Sequence, residues 1–214
     1  YKSLLVGLGQ IGMGYDYDLP ETQNILTHAQ ALSVHPAFEL IGGIDLSSEN
    51  RIKFESKYKK STFHTIEDKP EIVDTDIVVI AVPTEAHLDT VKKVASILSP
   101  KLMLIEKPLA YSLSEAQEIM QIAEAKNIGI GVNYIREYEP DHRNFYERIN
   151  KGELGRPLKA VCWYSKGIMN NGSHLIQMLS NFMGNLSQIN IINKGHKRGS
   201  FDSEPALELI YENC

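Results

Sequence analysis

Three glycines lie close together near the first residue, in the stretch Gly7-Leu8-Gly9-Gln10-Ile11-Gly12. They directly follow a short apolar run, residues 2–6, which has the composition of a buried strand. In this context the first glycine allows a tight turn, the second lets a pyrophosphate approach, and the third lets the next helix pack closely. Backbone amides at the helix start, at Gln10 and Ile11, would then hold the phosphates. The pattern predicts a dinucleotide site, and the alternative is a glycine turn that only links strand to helix.

A carboxylate, Asp45, ends the second predicted strand, residues 38–44. A carboxylate here accepts hydrogen bonds from the adenosine ribose hydroxyls and repels a 2′-phosphate, which favours NAD over NADP. The alternative is an ordinary turn aspartate at a strand end. Asp45 lies 33 positions after Gly12, whereas the usual spacing is about 20 residues. Residues 15–26 are therefore interpreted as an insertion, which either covers the cofactor or forms a surface loop, and we favour the loop.

Strand and helix patterns alternate over residues 1–132, which predicts an α/β fold with a doubly wound parallel sheet of the Rossmann type. The regular alternation of strand and helix patterns stops after Tyr134, and a turn rich in helix breakers follows at 152–157. We expect a Rossmann domain over 1–133 and a smaller, apparently truncated α+β domain over 134–214. The second domain is predicted to contain helices at 140–150 and 173–182 and strands at 158–164, 186–192 and 206–211.

Several further motifs follow in a fixed order, and together they resemble the glucose-fructose oxidoreductase and myo-inositol dehydrogenase family, written Gfo/Idh/MocA. The resemblance covers about residues 1–185. The motifs are the glycine fingerprint, His28, Asp45, Ala81-Val82-Pro83-Thr84 with His87, Glu106-Lys107-Pro108, Asn133, the turn at 152–157, and Asn170-Asn171-Gly172-Ser173-His174-Leu175-Ile176-Gln177.

The resemblance implies an NAD-dependent dehydrogenase that acts on CH–OH groups of a sugar, polyol or sugar nucleotide. It implies that Lys107 and His174 are catalytic, because a lysine or a neutral imidazole can move the hydroxyl proton while the cofactor takes the hydride. Lys107 is also expected to contact cofactor and substrate. The resemblance further implies cofactor contacts for Pro83, Thr84, His87 and Glu106, and substrate contacts for Asn133, Asn170, Asn171 and His174.

Two positions depart from the family pattern. Asn170 and Gln177 stand where the family commonly has acids, and an amide supplies no negative charge. Two alternatives therefore remain open: a cofactor-binding protein without turnover, regulatory or degenerate, and a redox-assisted elimination of a glycosidic bond with retained NAD.

Composition excludes several classes of partner. The 214 residues carry a formal net charge of −5 with scattered lysines and arginines, so a nucleic-acid partner is not expected. No apolar run approaches the roughly 20 residues of a membrane span, and no signal peptide is recognised, so we expect a cytoplasmic protein.

Cys162 and Cys214 are expected to be reduced and structural. Since the histidines show no zinc spacing, no metal is expected. The short second domain indicates either a fragment of a longer protein or a sheet completed by another subunit, and a homo-oligomer through this sheet is expected.

Overall fold

A computed structural model of the protein describes residues 1–20, 25–68 and 74–212. The chain divides into two compact units, Tyr1–Asn133 and Tyr134–Cys214. Cys214 itself lies outside the described residues, as does part of the predicted insertion.

The first unit contains a six-stranded parallel sheet, which confirms the predicted fold class. Its strands follow the order β3-β2-β1-β4-β5-β6, so the chain reverses its direction of winding beside β1. This is the arrangement of a doubly wound sheet, in which ligands bind at the carboxyl ends of the strands near the reversal. The strands are β1 Lys2–Val6, β2 Glu39–Ile44, β3 Thr62–Phe63, β4 Ile77–Ile80, β5 Leu102–Ile105 and β6 Gly129–Val132.

Within the described residues, four α-helices connect these strands, and three of them begin at a capping side chain. Thr27, Ser47 and Ser112 each accept a hydrogen bond from a backbone amide three residues further on, which satisfies one of the unpaired donors of the first turn. The helices are α1 His28–Val34, α2 Ser48–Tyr58, α3 His87–Ile97 and α4 Leu113–Lys126.

The central strands are apolar throughout because both faces of the sheet are covered. On one face, side chains such as Leu4, Ile80 and Ile105 form a core with α3 and α4. On the other face, Leu5 and Val79 pack in a second core with α1 and α2. These two cores hold the carboxyl ends of β1, β4 and β5 in fixed register.

The first α-helix does not follow the glycine turn directly. A five-residue π-helix, Gln10–Gly14, follows the turn, and α1 begins only at His28. The buried carboxylate of Asp16 accepts hydrogen bonds from the amides of Leu26 and Thr27 and from the Thr27 hydroxyl, at 2.7, 3.0 and 2.6 Å. These hydrogen bonds hold the described part of the insertion against the start of α1.

The second unit is α+β. Its two longer strands, β7 Leu186–Asn193 and β10 Ala206–Tyr211, pair antiparallel. Between them lies a small hairpin of β8 Lys197–Arg198 and β9 Asp202–Ser203, which the sequence pattern did not predict. The helices are α5 Pro140–Asn150 and α6 Ser173–Met183.

The strand predicted at 158–164 is wrong. These residues form no strand, and Trp163 is 91% exposed. The run is mostly apolar, as in many strands, but a strand forms only where a partner offers its backbone groups. Cys162 is free, but it is exposed, so the expectation that it packs structurally is also wrong.

Candidate functional site

The glycine turn follows β1 and packs against the backbone of the loop after β4. Gly7 has φ +98°, and a Cβ there would lie 2.6 Å from the carbonyl carbon of Ala81. A Cβ on Gly12 would lie 2.2 Å from the Gly7 oxygen. Among the described residues, no atom outside its immediate neighbours lies within 4 Å of the Cβ position of Gly9. The first and third glycines are therefore required by packing, and the second leaves open space for a ligand to approach.

Asp45 lies beside this turn, at the end of β2. Its Oδ2 atom accepts a hydrogen bond from the Leu8 amide at 2.7 Å, and its Oδ1 atom accepts one from the Ser47 amide at 2.7 Å. Each carboxylate oxygen can accept a further hydrogen bond. The structure thus holds a negative charge next to the glycine turn with acceptor capacity remaining.

Pro83, Thr84 and His87 follow β4. Thr84 begins a short 3-10 helix that leads into α3, and Pro83 precedes it. The His87 side chain is 1% exposed, with Nδ1 lying 3.1 Å from the Leu109 carbonyl and Nε2 3.0 Å from the Val82 carbonyl. The ring therefore links the loop after β4 to the loop after β5.

Glu106 ends β5 and is held by three donors. Its Oε1 atom lies 2.8 Å from Nε2 of His28 and 2.7 Å from Nδ2 of Asn133, and its Oε2 atom accepts a bond from the Lys107 amide at 3.3 Å. Burial by itself would raise the pKa of Glu106, but the hydrogen bonds from His28 and Asn133 outweigh it, and the pKa lies below its ordinary value. The carboxylate is therefore ionised at neutral pH and fixed in position.

Lys107 and Asn133 lie at the same edge of the sheet as the glycine turn. The Glu106 amide donates to the Ile80 carbonyl at 2.9 Å, and the Asn133 amide donates to the Ile105 carbonyl at 2.8 Å, so the parallel pairing continues past the strand ends. Lys107 is half-buried and precedes Pro108 through a cis peptide bond. The structure thus brings Glu106 and Asn133 into contact, and Lys107 directly follows Glu106 at this edge.

In the second unit, Asn170 and Asn171 belong to a short π-helix, Ile168–Gly172, and His174 lies in the first turn of α6. The His174 ring is buried, and the Tyr134 ring meets it edge-on at a centroid distance of 5.4 Å. Burial raises the pKa of the Tyr134 hydroxyl, although a hydrogen bond with Ser173 opposes this. Aromatic packing therefore orients His174 within this unit.

Gln177 lies one turn after His174 on the same side of α6. Its Nε2 atom donates to Oε2 of Glu137 at 2.8 Å. A carboxylate from a neighbouring segment thus lies against the position where the family pattern has an acid.

Two acidic residues of the hairpin were not singled out from the sequence. Asp202 accepts hydrogen bonds from the amides of Met169 and Asn170 at 3.0 and 3.2 Å, and Glu204 accepts one from the Gly167 amide at 3.2 Å. They hold the backbone that carries Asn170. No periodicity marks a two-residue strand, so only the turn-forming pair Gly199-Ser200 offered a signal.

Across the ranges that the structure describes, no group of three histidine, cysteine or acidic side chains is arranged to hold a metal ion. No helix in those ranges has the length and apolar character needed to cross a bilayer.

A doubly wound parallel sheet with a glycine turn at its reversal point and a fixed acid after β2 defines a dinucleotide-binding protein of the Rossmann class. Residues 2–134 match the family model GFO_IDH_MocA, described as an oxidoreductase family with an NAD-binding Rossmann fold. The chain belongs to this family, as its motif order predicted.

Individual relatives agree with this assignment. The chain is 27% identical over 159 residues to inositol 2-dehydrogenase of Salmonella typhimurium, an alignment that covers 73% of this chain and 44% of the relative. It is 30% identical over 102 residues to scyllo-inositol 2-dehydrogenase (NAD(+)) of Bacillus subtilis, covering 48% and 28%. The chain thus spans less than half the length of these curated relatives.

A solved structure shares the fold over nearly the whole chain. The WlbA dehydrogenase from Bordetella pertussis, determined in complex with NADH and UDP-GlcNAcA, superimposes with a TM-score of 0.78 at 18% identity. The match covers 99% of this chain and 64% of that chain.

Proposed function

We propose that this protein is an NAD-dependent dehydrogenase that transfers hydride between a sugar, polyol or sugar-nucleotide hydroxyl and nicotinamide. The observation that carries the proposal is the arrangement at one sheet edge of the glycine turn, Asp45 and the hydrogen-bonded pair of Glu106 and Asn133. Relatives that are named inositol dehydrogenases support the substrate class.

The residues at this edge fit a dinucleotide. Gly9 leaves open space at the backbone, which suits a pyrophosphate, and the amides of Gln10 and Ile11 follow in the first turn of the π-helix. Pro83 and Thr84 would line the nicotinamide side. When bound, the nicotinamide supplies the hydride acceptor or donor.

Asp45 supports NAD rather than NADP as the cofactor. Its carboxylate cannot turn away without losing hydrogen bonds to Leu8 and Ser47, so a 2′-phosphate would meet a fixed negative charge. Ribose hydroxyls, in contrast, would find acceptors there.

Lys107 is proposed to bind the substrate hydroxyl and to take its proton, and Asn133 to orient the substrate. In the second unit, His174 is the second proposed proton carrier, and Asn170 and Asn171 are proposed to bind other hydroxyls through their amides. His87 has both ring nitrogens against carbonyl oxygens, so we propose that it shapes the cofactor loop rather than contacts the reacting atoms.

The wider assembly is also a proposal. The strand β7 exposes three isoleucines, Ile189, Ile191 and Ile192, and an exposed apolar patch of this kind marks an interface. We propose a homo-oligomer through this sheet.

Free Cys162 is compatible with a reducing compartment, and the cytoplasm is the location that we propose.

A cofactor-binding protein without turnover is the second candidate, favoured by the amides at Asn170 and Gln177. Redox-assisted elimination is a third, and NAD that stays bound with no net reduction would indicate it.

The first test is titration of the purified chain with NADH and NADPH, followed by nicotinamide fluorescence and by thermal shift. We expect saturable NADH binding with weaker NADPH binding. Absence of binding for both would overturn the proposal. A screen of NAD⁺ with myo-inositol and sugar nucleotides then separates turnover from binding alone, because only turnover produces NADH.

A further inference from the structure

His28 lies outside both the glycine fingerprint and the Glu106-Lys107-Pro108 motif, yet it contacts the latter directly. It is the first residue of α1, and its Nε2 atom lies 2.8 Å from Oε1 of Glu106, 78 positions later in the chain. Both side chains are 12% exposed. A contact this short and this shielded from water couples the two residues strongly.

The chemistry of the pair indicates which atom carries the hydrogen of this contact. The lowered pKa of Glu106 makes it an ionised carboxylate, which only accepts hydrogen bonds. Nε2 of His28 must therefore carry a hydrogen, in the neutral ring or in the imidazolium. Either form can donate to Oε1.

His28 and Asn133 donate to the same carboxylate oxygen, from α1 and from the end of β6. The other oxygen faces the amide of Lys107. Removing His28 would leave a largely buried carboxylate with one side-chain donor at Oε1, and burial would then push its pKa upward. A protonated Glu106 would turn one acceptor oxygen into a donor and disturb the peptide that carries Lys107.

We propose that His28 is a positioning residue for the Glu106–Lys107 pair. It keeps Glu106 ionised and stationary, so that Lys107 and the nicotinamide side of the cofactor site have one arrangement. This role rests on the proposed function for its effect on binding and turnover, whereas the His28–Glu106 coupling can be measured without cofactor or substrate.

The experiment compares His28→Leu, which removes the donor, with His28→Gln, whose amide Nε2 can still donate to Glu106. His35→Gln is the matched control, because His35 is an exposed histidine that caps the other end of α1. Circular dichroism and thermal melting first establish that each variant folds.

The first readout is the carboxyl carbon resonance of Glu106 in protein labelled at glutamate, followed through an acid titration and assigned with Glu106→Gln. In His28→Leu we expect the proton affinity of Glu106 to rise at least about tenfold, the size of one lost charge-assisted hydrogen bond. His28→Gln should stay near the wild type, and His35→Gln should match it. An unchanged titration in His28→Leu would overturn the coupling.

The second readout is the NADH dissociation constant and, with NAD⁺ and myo-inositol as the probe pair, the separate values of kcat and KM. We expect NADH binding to weaken about threefold to tenfold in His28→Leu, with most of this loss rescued by glutamine. A shifted carboxyl titration with unchanged NADH binding would overturn the positioning role.

A double-mutant cycle tests whether a loss in His28→Leu arises through Glu106 or from a general folding defect. If His28 acts through Glu106, His28→Leu should have little further effect on NADH binding in a Glu106→Gln background. Additive losses would overturn the proposal. If the wild type itself fails to bind NADH, the proposed function fails, while the carboxyl titration still decides whether His28 holds Glu106.

Discussion

The Oδ2 atom of Asp45 lies 2.7 Å from the backbone nitrogen of Leu8, so the carboxylate that ends β2 is hydrogen-bonded into the glycine turn that follows β1. These residues are 37 positions apart in the chain. Asp45 is the acid expected to distinguish NAD from NADP, and the glycine turn is expected to hold the pyrophosphate. The contact therefore fixes these two parts of the proposed cofactor site relative to each other.

Asp45→Asn should change cofactor preference at a cost of about 1–2 kcal/mol in stability, because the amide keeps one oxygen to accept from Leu8 while its NH₂ group replaces the oxygen that accepts from Ser47. The charge that repels a 2′-phosphate is gone. We expect the ratio of NADPH to NADH dissociation constants to fall at least about fivefold, measured by fluorescence titration. Asp89→Asn, at an exposed position of α3, is the control and should leave the ratio unchanged. An unchanged ratio in Asp45→Asn would contradict the assigned role.

Alanine should destabilise the protein at one of the fingerprint glycines, Gly12, but not at another, Gly9. A Cβ at Gly12 would collide with the Gly7 oxygen at 2.2 Å, so Gly12→Ala should destabilise the protein by about 2 kcal/mol or more. Gly9 has φ −75° and open space around its Cβ position, so Gly9→Ala should unfold like the wild type in urea. It should nevertheless lose NADH affinity, because the methyl group occupies the space left for the pyrophosphate. Normal NADH affinity in Gly9→Ala would argue against a dinucleotide at this turn.

Lys107→Met should separate binding from chemistry. Methionine keeps an unbranched chain of similar length but cannot exchange a proton with a hydroxyl. If the chain turns over a polyol, kcat should fall about 100-fold or more while the NADH dissociation constant changes little. Lys101→Met is the control, because Lys101 is exposed and pairs with Asp76. Equal losses in both variants would point to instability rather than to a lost catalytic group.

Glu106 should make stability depend on pH in acid. Its folded-state pKa lies below the ordinary value of 4.5, so its stabilising contribution is present above 4.5 and is lost as the pH falls through the lowered pKa. We expect Glu106→Gln to destabilise the protein by about 1–3 kcal/mol at neutral pH. The difference from the wild type should shrink in urea unfolding below pH 4.5. A difference that stays constant into acid would show that the Glu106 pKa is not lowered.

Gly167 should be intolerant of alanine for two reasons that can be separated. It has φ +92°, and a Cβ would lie 1.8 Å from Oδ2 of Asp202, the carboxylate that holds the Asn170 loop. Gly152 has φ +76° with nothing described within 4 Å of its Cβ position, so Gly152→Ala measures the backbone cost alone, about 1 kcal/mol. Gly167→Ala should cost more by chemical denaturation, and Asp202→Ala in the same chain should recover part of the excess. Equal costs at the two glycines would contradict the packing of Asp202 on this loop.

The sequence by itself determined the first unit in most of its detail. Near-continuous apolar runs bounded by turn residues marked β1, β2 and β5, because a parallel strand covered on both faces needs apolar side chains at every position. Helix starts at Ser47 and Ser112 are also encoded locally, since each serine side chain satisfies an amide three residues further on. The family and the candidate residues followed from motif order along the chain.

Tertiary structure alone decided the features that depend on partners distant in sequence. Residues 158–164 have the apolar composition of a strand but lack a pairing partner among the residues described, and the β8–β9 hairpin is too short to show a period. Likewise, no local pattern could join His28 to Glu106, Asp45 to Leu8, or Asp202 to the Asn170 loop. Such contacts arise where separate elements meet at a sheet edge or a hairpin, and a one-dimensional pattern records only neighbours along the chain.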